Sequence, residues 1–350
     1  MNSQTRSARP VAARQSATEA RDRPFPTGRR LALASIAIAA ASCLLPALAQ
    51  AQSFPGKPVT IVLSYPAGGV SDLLARSLAS QLQSQWKQPV LVDNRPGANQ
   101  IIATSAVSKA APDGYTLLMC DDGPFTLNPN LYSKLPYALS DFTPVAALAD
   151  FQFVLSVAKE LPIKSLADLV AYGKANPGKM NFASFGVGNI THVAFETFQR
   201  QAGIQMVHVP YKGYPPAIAD VLSNQAQMVL GAIGGPVLQY FRTGALKPLA
   251  VTGAMRSPLQ PDVPTFAEAG YPNFKPEAQF LLFGPAGLPE AVAQKIHTDV
   301  NVAIKAIDAG VLRPNGLRAL GQTRAQIQAN LKSGAAGNRT LVTDFGIKVE

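Results

Sequence analysis

Short apolar runs alternate along this chain with longer segments whose apolar residues return every three or four positions. The runs at 59–63, 89–92, 115–119, 180–183, 207–210, 228–230 and 246–251 are too short for helices and read as buried strands. Between them, Leu74, Leu78, Leu82 and Trp86 mark one face of a helix that Ser71 can cap. Helical spacing also covers 101–110 and 166–175, and a segment packing through Val193, Phe195, Phe198 and Ala202. The chain closes with helices over 290–306 and 324–342. Strand followed by helix, repeated, predicts α/β units. Two apolar runs break the alternation. The run at 151–157 has no helix directly before it and reads as a crossover into a second lobe, and the run at 278–283 reads as the return.

The strand at 59–63 runs into Ser64-Tyr65-Pro66-Ala67-Gly68-Gly69-Val70-Ser71-Asp72, a glycine-rich turn opening a helix. The first amides of a helix lack intrahelical acceptors and carry partial positive charge, which suits an anion. A second turn of this kind, Ser184-Phe185-Gly186-Val187-Gly188-Asn189-Ile190-Thr191-His192, follows the strand at 180–183. In open α/β sheets ligands sit at the carboxyl ends of strands, where both turns lie.

The first 51 residues change the charge account. Seven arginines precede an apolar stretch from Leu31 to Leu45, and small residues follow in an A-x-A pattern ending at Ala49 or Ala51. That order predicts a cleaved secretory signal over 1–51, its apolar part being shorter than the roughly 20 residues of a membrane span. The adjacent Arg29-Arg30 leaves a twin-arginine route open, and Cys43 leaves lipid attachment open. Seven basic and two acidic residues leave with this segment, so the net charge falls from +10 to about +5. No basic cluster interleaves with aromatics, which argues against nucleic acid. Cys120 then stands alone, so no intramolecular disulfide can form.

Catalytic apparatus is missing from the pattern. His192, His208 and His297 have no acid or cysteine at motif spacing, and H-E-x-x-H, G-x-S-x-G and G-x-x-x-x-G-K-[ST] are absent. A hydrolytic enzyme is the remote reading, Cys120 at a strand end reads as packing, and neither a metal site nor a cofactor is expected.

The chain closely resembles the Bug-type solute receptors of tripartite tricarboxylate transporters. The resemblance spans about 54–348 and rests on Tyr65-Pro66-Ala67-Gly68-Gly69, Asp93-Asn94-Arg95-Pro96-Gly97-Ala98, Pro112-Asp113-Gly114-Tyr115-Thr116-Leu117-Leu118, Asn176-Pro177-Gly178-Lys179, His208-Val209-Pro210-Tyr211-Lys212-Gly213, Pro261-Asp262-Val263-Pro264-Thr265 and Pro285-Ala286-Gly287, in that order. It implies a periplasmic binding protein fold of type II, with two α/β lobes joined by crossover strands and a ligand cleft between. Lobe 1 would take 52–153 and 281–350, and lobe 2 would take 154–280. It further implies a periplasmic monomer that traps a small carboxylate (dicarboxylate, tricarboxylate, amino acid or aromatic acid) and delivers it to membrane permease subunits. A receptor reporting to a membrane sensor kinase is the alternative. The resemblance points to Gly68, Gly69 and Ser71 as one anion cradle and to Ser184, Gly188, Asn189 and Thr191 as the facing one.

Several residues have two readings. Tyr65 walls the pocket or packs on its own lobe. Asp72 offsets the helix dipole. Asn189 replaces a serine more usual in the family, and Gly231 stands where many relatives carry an aspartate. His192 and Tyr211 are ligand candidates or packed residues, and Lys212 adds charge to the cleft or is solvated. Asp121 or Asp122 meets a ligand amine, or the pair forms an Asx turn before Gly123-Pro124.

Overall fold

The computed structural model describes residues 54–345. The leader reading, with its cleavage and lipidation alternatives, lies outside the described residues. Strands β1 (Val59–Leu63), β2 (Val90–Asn94), β3 (Thr116–Asp121), β4 (Phe142–Phe151), β10 (Ala278–Pro285) and β11 (Leu317–Ala319) form a six-stranded sheet in the order β11-β4-β10-β3-β1-β2. β1 runs parallel to β2 and β3, and β10 runs antiparallel to β3 and β4. A second sheet, ordered β7-β6-β8-β5-β9, holds β5 (Phe153–Ala158), β6 (Asn181–Ser184), β7 (Val207–Pro210), β8 (Met228–Ala232) and β9 (Leu246–Val251). β6 is parallel to β7 and β8, and β5 is antiparallel to β8 and β9. These are two α/β lobes.

Helices cover both faces of the first sheet. Val59, Ile61, Leu63, Leu117 and Met119 pack with Leu74, Leu78 and Leu82 of α1 (Val70–Trp86). The alternate residues Val62, Leu118 and Cys120 face Ala103 and Val107 of α2 (Ile101–Ser108) on the opposite side. Burial on both faces is why these strands read as unbroken apolar runs. Cys120 is fully buried packing, as expected of it. Two short helices follow β3, α3 (Gly123–Thr126) and α4 (Asn128–Leu131). In the second lobe, α5 (Leu166–Ala175), α6 (Ile190–Ala202), α7 (Tyr214–Leu222) and α8 (Val237–Arg242) flank the sheet. The chain then adds α9 (Glu290–Ile307) and α10 (Arg324–Phe345).

The run at 151–157 is not one strand. Phe151 ends β4 in the first sheet and Phe153 begins β5 in the second, with Gln152 between them. Gln152 leaves both ladders: its carbonyl accepts from Ile233 N at 3.0 Å and its side chain donates to Met255 O at 2.7 Å. β4 was not foreseen upstream, because its alanines and Pro144 carry little strand preference. At the crossover Phe151 stacks on Phe280 at 4.8 Å and meets Phe153 edge-on at 5.0 Å. This aromatic corner is the floor of the space between the lobes.

Candidate functional site

A cleft of about 610 Å³, counting its open mouth, lies between the lobes. The first lobe lines it with Tyr65, Pro66, Gly69, Val70, Ser71 and Asp121, and the second with Phe185, Ile190, Tyr214, Pro215, Ala232, Gly234 and Pro236. Phe151, Phe153 and Phe280 of the crossover complete the wall. A neighbouring polar recess of about 660 Å³ shares Tyr65 and Phe185 and adds Gly97 to Gln100, Tyr132, Gly186, Val187, Tyr211 and Lys212.

The first-lobe turn is open at its helix end. Gly69 is the N-cap of α1 and brings no side chain to the position where Ser, Thr, Asp or Asn usually fill the amides. Leu73 N makes the first bond of the helix, to Gly69 O at 3.1 Å, so the amides of Val70, Ser71 and Asp72 precede it. Ser71 is 6% exposed, lines the cleft, and its Oγ has no hydrogen-bond partner among the described residues. Gly68 N–H is engaged elsewhere, donating to Asp72 Oδ2 at 3.1 Å. Burial works against the Asp72 charge, but Arg76, Asn94 and Gly68 all donate to its carboxylate and hold it below its ordinary range. Asp72 is therefore a brace for the turn, the structural role read from sequence.

Asp121 stands behind this turn at the end of β3, 1% exposed. Its Oδ2 accepts from Tyr65 Oη, and its Oδ1 accepts from Gln100 Nε2 at 2.7 Å and Gly123 N at 2.8 Å. Three of about four acceptor positions are filled, leaving room for one more donor. Burial raises its pKa despite these bonds, and it raises that of the half-buried Asp122, with repulsion from Asp121 adding to the latter. The bond to Gly123 N is the Asx turn that was one of the two readings for this pair. Ser64 Oγ extends the network to Gln100 Oε1 at 2.8 Å.

The second-lobe turn is closed on itself. Asn189 caps α6, accepting from Thr191 N at 3.1 Å and Thr191 Oγ1 at 3.0 Å. Thr191 Oγ1 in turn accepts from Phe185 N at 3.0 Å. Gly188 N–H donates to His192 Nδ1 at 3.0 Å, and Ser184 Oγ lies 2.5 Å from His208 Nε2. The two imidazoles stack at 3.8 Å. Burial lowers His192 to about 4 and His208 to about 3, the latter helped by His192. Tyr211 Oη donates to Asp220 at 2.6 Å. Of the second-lobe residues named from sequence, Ser184, Gly188, Thr191, His192 and Tyr211 thus all make bonds within their own lobe. Asn189 crosses between lobes, donating through Nδ2 to Asn99 Oδ1 at 3.3 Å. Lys212 is exposed at the rim of the polar recess.

Two groups of site residues were not foreseen. Ala98, Asn99 and Gln100 all take positive φ (46°, 47° and 70°), a strained run held by the bonds from Asn99 to Asn128 and from Gln100 to Asp121. Nothing in the local sequence marks it. The aromatic wall was visible as residues, but Phe151, Phe153 and Phe280 were read only as strand positions.

The receptor family of tripartite tricarboxylate transporters, TctC, matches residues 74–331. The chain belongs to that family. BugT of Bordetella pertussis is 36% identical over 279 residues, covering 79% of this chain and 85% of BugT. The solved periplasmic binding protein BugD superposes with a TM-score of 0.79 at 28% identity, over 85% of this chain and all of BugD. The R. palustris protein Rpa4515, solved with adipate, gives a TM-score of 0.78 at 31% identity, over 84% of this chain and 99% of Rpa4515. The fold class and the family resemblance read from the sequence are both borne out.

Proposed function

We propose that this TctC receptor captures a small organic carboxylate between its lobes in the periplasm and delivers it to a membrane permease. One observation carries the reading: an uncapped helix N-terminus and Ser71, a largely buried residue whose Oγ has no hydrogen-bond partner among the described residues, line the interlobe cleft. Amides of a first helical turn and a free hydroxyl are hydrogen-bond donors aimed at an acceptor, and partial positive charge favours an anionic one. The related Rpa4515 was solved with a dicarboxylate, adipate.

A helix terminus contributes at most ~2 kcal/mol to a partly buried anion, while micromolar affinity needs about −8 kcal/mol. Hydrogen bonds to the charged ligand at ~1.5–3 kcal/mol each and burial of its body between the lobes supply the remainder. In this reading the ligand is released unchanged.

Thermal unfolding in the presence of a panel of carboxylates tests this. A binder at about 100-fold over its Kd stabilises by about 2.7 kcal/mol and raises the midpoint by several degrees. No shift across dicarboxylates, tricarboxylates, amino acids and aromatic acids would overturn the reading.

A further inference from the structure

The second-lobe wall of the cleft contains a tight packing relation. A Cβ added at Gly231 on β8 would fall 2.5 Å from Tyr214 Cε2 and 3.0 Å from its Cδ2, closer than packed carbon atoms approach. The ring of Tyr214 thus occupies the space that any side chain at 231 would need. Tyr214 also meets Phe185 edge-on, with centroids 5.9 Å apart and planes at 86°. Across the cleft, Phe280 is edge-on to Tyr65 at 6.5 Å and stacked on Phe151. Rings therefore face the cleft from both lobes and from the crossover. Among the described residues that line this wall, Asp121 is the only acidic or basic side chain, and it lies at the first-lobe end with three donors already on it.

We propose that Gly231 and Tyr214 set the ligand class, and that the ligand is a monocarboxylate with an aromatic body. The proposal rests on the carboxylate reading above. The ligand carboxylate sits on the amides of Val70 and Ser71 and on Ser71 Oγ, and its ring lies among Phe153, Phe185, Tyr214 and Phe280. A second carboxylate carried to that end would be stripped of water with no basic side chain beside it, and the one phenol there, Tyr214 Oη, is buried rather than presented at the surface, so the ion is strongly disfavoured. An aromatic body has the opposite balance there, because it loses only apolar hydration and gains edge-to-face and offset contacts. Gly231 acts through Tyr214: its missing side chain lets the ring lie back against β8, which leaves the cleft wide enough for a planar ligand.

Isothermal titration of the purified protein with benzoate, phenylacetate, adipate and malate tests the proposal. One of the aromatic acids should bind roughly tenfold or more tightly than either aliphatic dicarboxylate. Gly231→Ala drives the Tyr214 ring into the cleft and Tyr214→Ala removes it, so each should weaken aromatic binding by about tenfold. Circular dichroism checks that the variants fold. If Gly231→Ala does not, Tyr214→Ala, which removes atoms without a clash, decides alone. Preference of the wild type for adipate or malate would overturn this inference and leave the carboxylate reading standing, as would a folded Tyr214→Ala protein with undiminished aromatic affinity. Failure of all four acids to bind, together with a silent thermal panel, would overturn both.

Discussion

The two glycine-rich turns that face each other across the cleft look alike in sequence and are wired differently. Both follow a parallel strand and open a helix. In the first lobe the N-cap is Gly69, and among the described residues the early amides of α1 lack a side-chain acceptor and Ser71 Oγ has no partner. In the second lobe Asn189 fills the N-cap, Gly188 is held by His192, and Ser184 is held by His208. Apart from Gly68 N–H, which Asp72 takes, the first turn leaves its donors without a side-chain acceptor among the described residues. The second uses its donors to make a rigid wall that carries Phe185 and Ile190 to the cleft. Matching motifs therefore do different work, and the difference lies in which polar groups are already satisfied. Each turn is also backed by a titratable pair with one member buried and one half-buried, acidic in the first lobe and imidazole in the second.

Removing the acidic support of the first turn should have the largest effect. Asp121→Ala leaves Tyr65 Oη, Gln100 Nε2 and Gly123 N without their acceptor, so we expect a loss of roughly 3 kcal/mol or more in urea unfolding, at ~1–3 kcal/mol per stranded group. Asp121→Asn keeps the shape and should lose much less. An equal loss in the two variants would show that the network is not what supports the turn.

The two pairs should then separate by pH. The histidines have folded pKa values of about 4 and about 3, below their ordinary 6.5, so the unfolded chain binds more protons and stability is lost as pH falls from 6.5 toward 3. The acidic pair is raised, to about 8 for Asp122, so the folded chain binds more protons and stability is lost as pH rises from the ordinary carboxylate range toward 8. Melting temperature against pH should fall on both sides of a maximum. His208→Gln should flatten the acid limb and Asp122→Asn the alkaline limb; a limb that survives its substitution has another cause.

Breaking the closed wiring of the second turn comes next. Asn189→Ala removes a helix cap and the bond to Asn99, and we expect a stability loss of about 1–2 kcal/mol with weaker ligand binding. Ser71→Ala, in the open turn, should do the reverse. Its Oγ holds no protein group, so the unfolding midpoint without ligand should move little, while carboxylate affinity falls about tenfold, equivalent to ~1.4 kcal/mol. If both variants lost stability alike, the contrast between the turns would collapse. The smallest effect is at the wall itself. Tyr214 Oη is buried with no hydrogen-bond partner among the described residues, so Tyr214→Phe should stabilise the fold by about 1 kcal/mol, read from chemical unfolding.

Much of the fold was legible along the chain. Strands such as 59–63 and 228–230 are continuous apolar runs because both their faces are packed within their own lobe, and the spacing of Leu74, Leu78 and Leu82 records the face of α1 that covers the first of them. The position of both turns at strand carboxyl ends was legible for the same reason. β4 and β11 were not, since alanines and a three-residue edge carry little local signal and are strands only because β10 and β4 pair with them. Local chemistry also determined most of the brace at Asp72, because a carboxylate in the first helical turn meets Gly68 and Arg76 four residues away, while Asn94 is brought in by β2. What the tertiary structure alone decided is which donors remain free. Asp121, Gln100 and Tyr65 are satisfied by one another across separate segments, His192 and His208 come from an α6 turn and a β7 strand, and Gly231 shows its meaning only beside Tyr214. Hydrogen-bond satisfaction and steric room are properties of neighbours in space, and no single stretch of sequence contains them.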